Sequence, residues 1–179
     1  ADLKASQALN PIIEAMKNHE FIFVRQNAAQ ALGEIGDRKA FEPLMEALEK
    51  DRGIRWSVIR TLGELKDERA VNKLRSILYT DENDNARSMA AYSLALINSE
   101  KSLEILHKAL EDISEDKLRI AIIKTLKKYG NDKSSKPVLK ILNNPDENLQ
   151  IRLMAAHALW ETHPDVVALR LIPLYSPDL

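Results

Sequence analysis

Apolar and small residues return along this chain at fixed distances from a recurring arginine. Arg25, Arg55, Arg87, Arg119 and Arg152 stand 30, 32, 32 and 33 residues apart, and seven residues after each comes a leucine: Leu32, Leu62, Leu94, Leu126 and Leu159. Counted from the arginine, offsets −1, +3, +4, +7 and +10 hold Val24, Ala28, Ala29, Leu32 and Ile35 in the first repeat and Ile54, Val58, Ile59, Leu62 and Leu65 in the second. The third repeat places Ala86, Ala90, Ala91, Leu94 and Ile97 there, and the fourth Leu118, Ile122, Ile123, Leu126 and Tyr129. The fifth has Ile151, Ala155, Ala156 and Leu159, and breaks only at Thr162. These offsets share one side of a 3.6-residue helix, so each repeat is predicted to carry an amphipathic helix, helix B.

A second helix, A, precedes each B. Twelve residues beyond each leucine stand Leu44, Leu74, Leu106, Val138 and Leu171, with Leu48, Leu78, Leu110, Leu142 and Tyr175 four further on. Thirteen residues before Arg25 lies Ile12, followed by Met16, so the pattern starts near the first residue. Asp37, Asp67, Ser99 and Asn131 recur at +12, where a short polar side chain can accept from the free N–H groups of the next helix A. Gly36 and Gly130 suit left-handed helix ends, and Asp51, Ser114 and Asp146 are expected to cap or turn the chain into helix B. Pro11, Pro43 and Pro137 predict a kink or a late start in helix A, and Pro173 and Pro177 discourage a helix beyond them. Position +6 is small in every repeat (Ala31, Thr61, Ser93, Thr125, Ala158), which suits close approach of neighbouring B helices. Trp160, at +8, is expected to pack at the edge of the stripe.

The run Val24-Arg25-Gln26-Asn27-Ala28-Ala29-Gln30-Ala31-Leu32-Gly33-Glu34-Ile35-Gly36-Asp37, continued by Ala40 and Pro43-Leu44, resembles the HEAT repeat of the phycobilisome-lyase type. Later repeats keep Arg and Leu but hold Ala95, Lys127 and Trp160 where the first two have glycine. The resemblance covers roughly residues 10–179 and implies an all-α fold: an α-solenoid, a right-handed superhelix of stacked antiparallel helix pairs. It also implies A helices on the convex face and B helices on the concave one. We expect one array over 1–179, with units at about 8–36, 37–66, 67–98, 99–130 and 131–163 and a terminal helix at 164–173. A single pair cannot cover its own apolar stripe, so neighbours must cover it.

Composition narrows the chemistry. The chain has 179 residues, 26 Lys+Arg against 27 Asp+Glu, a formal net charge of −1, and no cysteine, which excludes disulfides and thiolate sites. No run of apolar residues is long enough to cross a membrane, and the near-neutral charge removes the global case for nucleic acid as a partner. The four histidines, His19, His107, His157 and His163, share no helical face and form no HExxH pattern. Deoxyhypusine hydroxylase, a HEAT-repeat enzyme, carries His-Glu pairs just after the repeat arginine. Those places here hold Gln26-Asn27, Trp56-Ser57, Ser88-Met89, Ile120-Ala121 and Leu153-Met154, and the sole His-Glu pair, His19-Glu20, is elsewhere. No metal site, cofactor or catalytic constellation is expected.

What varies from repeat to repeat is the side of helix B opposite its stripe, at +1, +2, +5 and +9. The first repeat is polar there, whereas Trp56, Met89, Tyr92, Leu96, Ile120, Leu153 and Met154 make the later ones apolar. A contiguous apolar row marks an interaction surface; the competing reading is that curvature buries these side chains against one another. The candidate partner-binding residues are Trp56, Arg60, Met89, Tyr92, Ile120, Lys124, Lys128, Leu153 and His157. The repeating Arg25, Arg55, Arg87, Arg119 and Arg152 are expected to be structural, each pairing with a carbonyl or acid of an adjacent turn. Residues 117–140 carry eight cations and one acid, a net charge of +7, beside residues 100–116 with six acids and two lysines, a net charge of −4. The sequence is therefore read as a non-catalytic, cytoplasmic, monomeric scaffold that binds a protein or peptide and meets no membrane. A bilin lyase or bilin-binding chaperone and a nucleic-acid-binding HEAT-like protein are the alternatives.

Overall fold

Helix follows helix without interruption in the computed structural model, which describes residues 3–130 and 132–175, with side chains for 8–130 and 133–170. Two compact units, Ala1–Ser102 and Leu103–Leu179, divide the chain within one helix. In the first unit lie α1 (Leu3–Asn18), α2 (Ile22–Ile35), α3 (Phe41–Lys50), α4 (Arg55–Glu64), α5 (Val71–Thr80) and α6 (Asp84–Ile97). The dividing helix α7 (Glu100–Asp112) leads into the second unit, with α8 (Asp116–Tyr129), α9 (Ser135–Asn143), α10 (Leu149–Leu159) and α11 (Pro164–Tyr175). Odd-numbered helices are the A helices and even-numbered ones the B helices of an all-α solenoid.

The arginine-based stripe is the core. Ile54, Val58, Ile59, Leu62, Ala90, Ala91, Leu94, Ile122, Ile123, Ile151 and Ala155 are fully buried, and from the A helices so are Met16, Leu44, Leu74, Leu78, Leu106 and Leu142. Leu171 and Tyr175 lie outside the residues whose side chains are described. A buried Leu or Ile contributes about 1.5–3 kcal/mol relative to exposure, so these ladders, one rung per repeat, supply most of the stacking free energy.

Neighbouring B helices run parallel within each unit, as the order of their contacts shows. Along α2 and α4 the pairs are Arg25 with Asp51, Gln26 with Gly53, and Ala29 with Thr61. The small residues at +6 do more than leave room. Thr61 donates its hydroxyl to the Ala29 carbonyl at 3.0 Å, and Ser93 donates to the Ile59 carbonyl at 2.8 Å, each buried between two B helices. A buried hydroxyl costs free energy unless it is paired, so each bond fixes the register of one helix on the next. Gly63 completes the contact, because a Cβ on it would stand 2.6 Å from Ser93 Cα.

The turns depart from expectation in places. Asp37 and Asp67 do accept from backbone, from Lys39 N at 2.9 Å and Arg69 N at 3.0 Å, but they open a short 3₁₀ turn ahead of helix A. Ser99 accepts from Ser102 N at 3.2 Å; Asn131 lies outside the described residues. Gly36 is left-handed at φ 67°, but Gly130 is extended at φ −68° and ψ 171°. Close packing is what selects glycine at 130: a Cβ there would lie 2.4 Å from the Leu126 carbonyl oxygen and 2.6 Å from Ser134 Oγ. The left-handed positions elsewhere fall to Lys66 and Asn98, at φ 51° and 52°.

Helix B is capped by Asn83 in the third repeat and Asn148 in the fifth, not by Ser114 or Asp146. Asparagine at these places reaches the N–H two residues on, which Asp146, two residues earlier still, cannot. Pro43 and Pro137 sit third in α3 and α9, where no N–H donor is needed, while Pro11 lies inside α1. The last helix continues through Pro173 to Tyr175; Pro177 lies outside the described residues.

Candidate functional site

Two kinds of residue compete for a role in each repeat, the invariant arginine and the variable outward positions. The arginine reaches across the stack. Arg25 Nε donates to Asp51 Oδ2 at 2.7 Å while its Nη1 donates to the His19 and Glu20 carbonyls at 2.8 and 3.0 Å. Arg55 bonds the Leu48 carbonyl at 3.2 Å and pairs with Asp81. Arg87 donates to the Leu78 carbonyl at 3.0 Å, and Arg119 forms a fork on Glu147 at 2.8 and 2.5 Å. In the first four repeats the guanidinium thus bonds carbonyls shortly before its own helix B, the acid in the turn of the next repeat, or both. In the fifth repeat Arg152 Nε is buried without a partner.

These pairs set carboxyl ionisation. The Arg119 guanidinium holds the Glu147 carboxyl below the usual carboxylate range against an opposing push from burial. Burial pushes Asp81 up, but the Asn83 N–H and the Arg55 guanidinium outweigh it, and the carboxyl also lies low. Hydrogen bonds from Lys17 and Lys50 lower Glu46 to about 2. A carboxyl whose folded pKa lies below its unfolded value of about 4 stabilises the fold above that value. The contribution disappears as pH falls through the folded pKa. Urea denaturation at stepped pH is expected to show stability level from about pH 7 to 5 as far as these groups are concerned, then falling toward pH 2. Glu147→Gln is expected to flatten that acid limb; an unchanged limb would remove the pair from the explanation. His107 moves for another reason: burial lowers it against an opposing pull from Glu104, with Nε2 lying 3.3 Å from Ser134 Oγ.

In the first unit the outward positions of the packed helices α4 and α6 carry Trp56 and Arg60 on one and Met89 and Tyr92 on the other. Trp56 is 48% exposed and Met89 and Tyr92 half-buried, so indole and phenol are not sealed in the interior. Arg60 Nε donates to Glu64 Oε1 at 2.8 Å one turn along its helix. In the second unit α8 carries Ile120, half-buried, with Lys124 and Lys128 exposed. Beside it α10 carries Leu153, 36% exposed, and His157, exposed. The alignment of α8 and α10 is again parallel, through Arg119 with Glu147, Asp116 with Asn148, and Lys127 with Glu161.

Several exposed apolar groups escaped the sequence reading, Leu169 on α11 at 69% exposure among them. Phe21 and Phe23, 62% and 67% exposed, flank Ile22 at the entry to α2, and Ile22 Cδ1 leans over Gly53 of the next repeat. The available signal was local: offsets −4 to −2 are apolar only in the first repeat, where the second has Asp51-Arg52-Gly53. Leu149 is 54% exposed at the start of α10. Trp160, expected to pack, is 53% exposed. At this offset Gly33 and Gly63 face the next B helix, and among the described residues none follows α10.

Among the described residues, no group of three or more His, Asp or Glu side chains could hold a metal ion, and no helix is long and apolar enough to cross a membrane. The family model for HEAT repeats matches residues 9–95 and again 71–160. The chain is a HEAT-repeat protein. HEAT geometry of the same kind is found in the complex of CpcE and CpcF of phycocyanin lyase from Nostoc sp. PCC7120, with TM-score 0.55 and 19% identity over 97% of this chain and 77% of that one. Human deoxyhypusine hydroxylase in complex with glycerol matches with TM-score 0.50 and 18% identity, over 97% of this chain and 68% of that one. At such identities the likeness of this HEAT array to either is one of fold. Comparison with curated proteins gives no match.

Proposed function

We propose that this HEAT-repeat protein is a non-catalytic scaffold that binds a protein or peptide through the outward face of its B helices. The observation that carries the reading is Trp56, an indole held 48% exposed on a helix whose opposite side is fully buried. Tryptophan has much to gain from burial, and a rigid helix that presents one to solvent holds a contact group at low entropic cost. Leu153 occupies the same +1 offset in the fifth repeat, again exposed. The first repeat has Gln26 there, its amide tied to the Gly53 carbonyl at 3.1 Å, so the apolar character belongs to particular repeats and not to the repeat itself.

The test is affinity capture from extract of the source cells by the wild-type chain and by Trp56→Ala, read by quantitative mass spectrometry beside thermal melting of both. The reading expects a protein enriched by the wild type and reduced about tenfold or more by the variant, a loss of at least ~1.4 kcal/mol typical of a buried aromatic anchor. The melting temperature should stay within about 2 °C, since an exposed side chain contributes little to the fold. Equal capture with a large melting shift would make Trp56 a core residue and overturn the reading.

A further inference from the structure

The second unit carries a surface on which charge and apolar area lie side by side without neutralising each other. On α8, Ile120 and Ala121 each lie three or four residues from Lys117 and from Lys124, and Lys128 lies four beyond Lys124, so the five form one stripe. Lys117, Lys124 and Lys128 are exposed, and no carboxylate lies within ion-pair distance of Lys117 or Lys124 among the described residues. Lys128 Nζ stands 4.9 Å from the Tyr129 ring centre. Lys140 on the neighbouring A helix, α9, differs: it is satisfied by Glu111 of α7 at 2.6 Å. Acids on the α8 and α10 side stand at its two ends. Asp116 accepts from Asn148 at 2.9 Å, and Glu161 faces Lys127 at 3.7 Å.

Next to the lysines, α10 shows a stripe of its own. Leu149, Leu153, His157 and Trp160 fall within one side of the helix, and the two leucines and the tryptophan are 54%, 36% and 53% exposed. A row of exposed cations, with Lys117 and Lys124 outside ion-pair distance of any described carboxylate, bordered by a row of exposed large apolar side chains, is complementary to one kind of partner. It must bring several carboxylates for α8 and at least one bulky apolar side chain for α10. A phosphate backbone would satisfy the lysines but leave the leucines uncovered.

We propose that the α8–α10 face binds an acidic peptide segment interspersed with large apolar residues. The proposal rests on the B-helix face being a protein-binding surface, and it names the partner's chemistry for this unit. Desolvated apolar contact supplies affinity, while the lysines steer the acidic segment and set its register.

The probes are three fluorescein-labelled peptides of equal length (Glu alternating with Leu, Glu only, and Gln alternating with Leu) and an oligothymidylate of similar length. Each is titrated by fluorescence anisotropy against the full chain, the double variant K117E/K124E, L153S, and K136E on α9 as a charge control. The Glu/Leu peptide is expected to bind best, to weaken about tenfold or more with K117E/K124E, to weaken with L153S, and to be unchanged by K136E. Its affinity should also fall as salt rises. Circular dichroism melts confirm that the variants are folded, and K117Q/K124Q, which removes charge without reversing it, should give an intermediate loss. Binding insensitive to K117E/K124E, equal binding of the Gln/Leu peptide, tighter binding of the oligothymidylate, or no binding at all would each overturn the proposal. Should that happen while Trp56→Ala still loses its captured protein, the scaffold reading survives and only the assignment of this face falls.

Discussion

Arg119→Ala is expected to cost about 3 kcal/mol, the lower end for breaking a buried ion pair. The reason is geometric. Arg119 and Glu147 are only 11% and 12% exposed, and the guanidinium makes two bonds to one carboxylate at 2.8 and 2.5 Å. Removing the arginine leaves Glu147 half-desolvated and facing nothing, at the turn that positions α10. For a chain of this length the loss corresponds to a fall in melting temperature of roughly 6–12 °C. The double replacement Arg119→Met with Glu147→Leu should cost much less, because it removes both charges from a dry site together. The equivalent pair in the first repeat, Arg25 and Asp51, is 19% and 27% exposed, so Arg25→Ala is expected to be milder. Urea denaturation of the three variants decides the matter. An Arg119→Ala chain as stable as wild type would deny the arginine its role as the tie between repeats.

Gly63→Ala is expected to destabilise by about 1–3 kcal/mol, opposite in sign to the gain of about 1 kcal/mol that alanine brings to an ordinary helix interior. A Cβ at 63 would meet Ser93 Cα at 2.6 Å, Ser93 Cβ at 2.7 Å and the Ser93 carbonyl oxygen at 3.0 Å. Two of these are backbone atoms of α6, held in register by the Ser93 hydroxyl on the Ile59 carbonyl. Relief therefore requires moving a helix. Gly33 provides the contrast: its Cβ would meet Glu64 Oε2 at 2.5 Å and the Thr61 Cγ2 methyl at 3.2 Å. The carboxylate is the far end of a flexible side chain, held only by its part-exposed pair with Arg60, and can swing aside, so Gly33→Ala should be near neutral. Guanidinium denaturation of both variants would show the difference in sign; a stabilised Gly63→Ala chain would mean that α4 and α6 do not meet this closely.

How much of this could be read from the residues follows from what repeats and what does not. Helix pairs and their buried stripes were legible because burial acts at every repeat on the same offsets, so Val58, Ala90, Ile122 and Ala155 announce one another. The hydroxyls of Thr61 and Ser93 were visible as small residues, but their role was not, since a hydrogen bond to a neighbouring carbonyl leaves no periodic signature beyond size. Gly130 misled because glycine serves left-handed backbone and close packing alike, and only the nearness of Leu126 and Ser134 separates the two. Glu147 as the acceptor for Arg119 was hidden by a shift in spacing: Asp51 and Asp81 lie 26 residues beyond their arginines, Glu147 28. Trp160 and the Phe21–Phe23 cluster were missed because each occurs once, where no other repeat can vouch for it.

Hydrogen exchange measured by mass spectrometry, on the chain alone and bound to the protein it captures, puts the division between repeated and variable positions to its most direct test. Slowed exchange is expected in peptides spanning α4 and α6, around Trp56 and Tyr92, with the A helices α3 and α5 unchanged. Protection confined to α3 and α5, with α4 and α6 exchanging as in the free chain, would place the contact on the opposite face and contradict the reading.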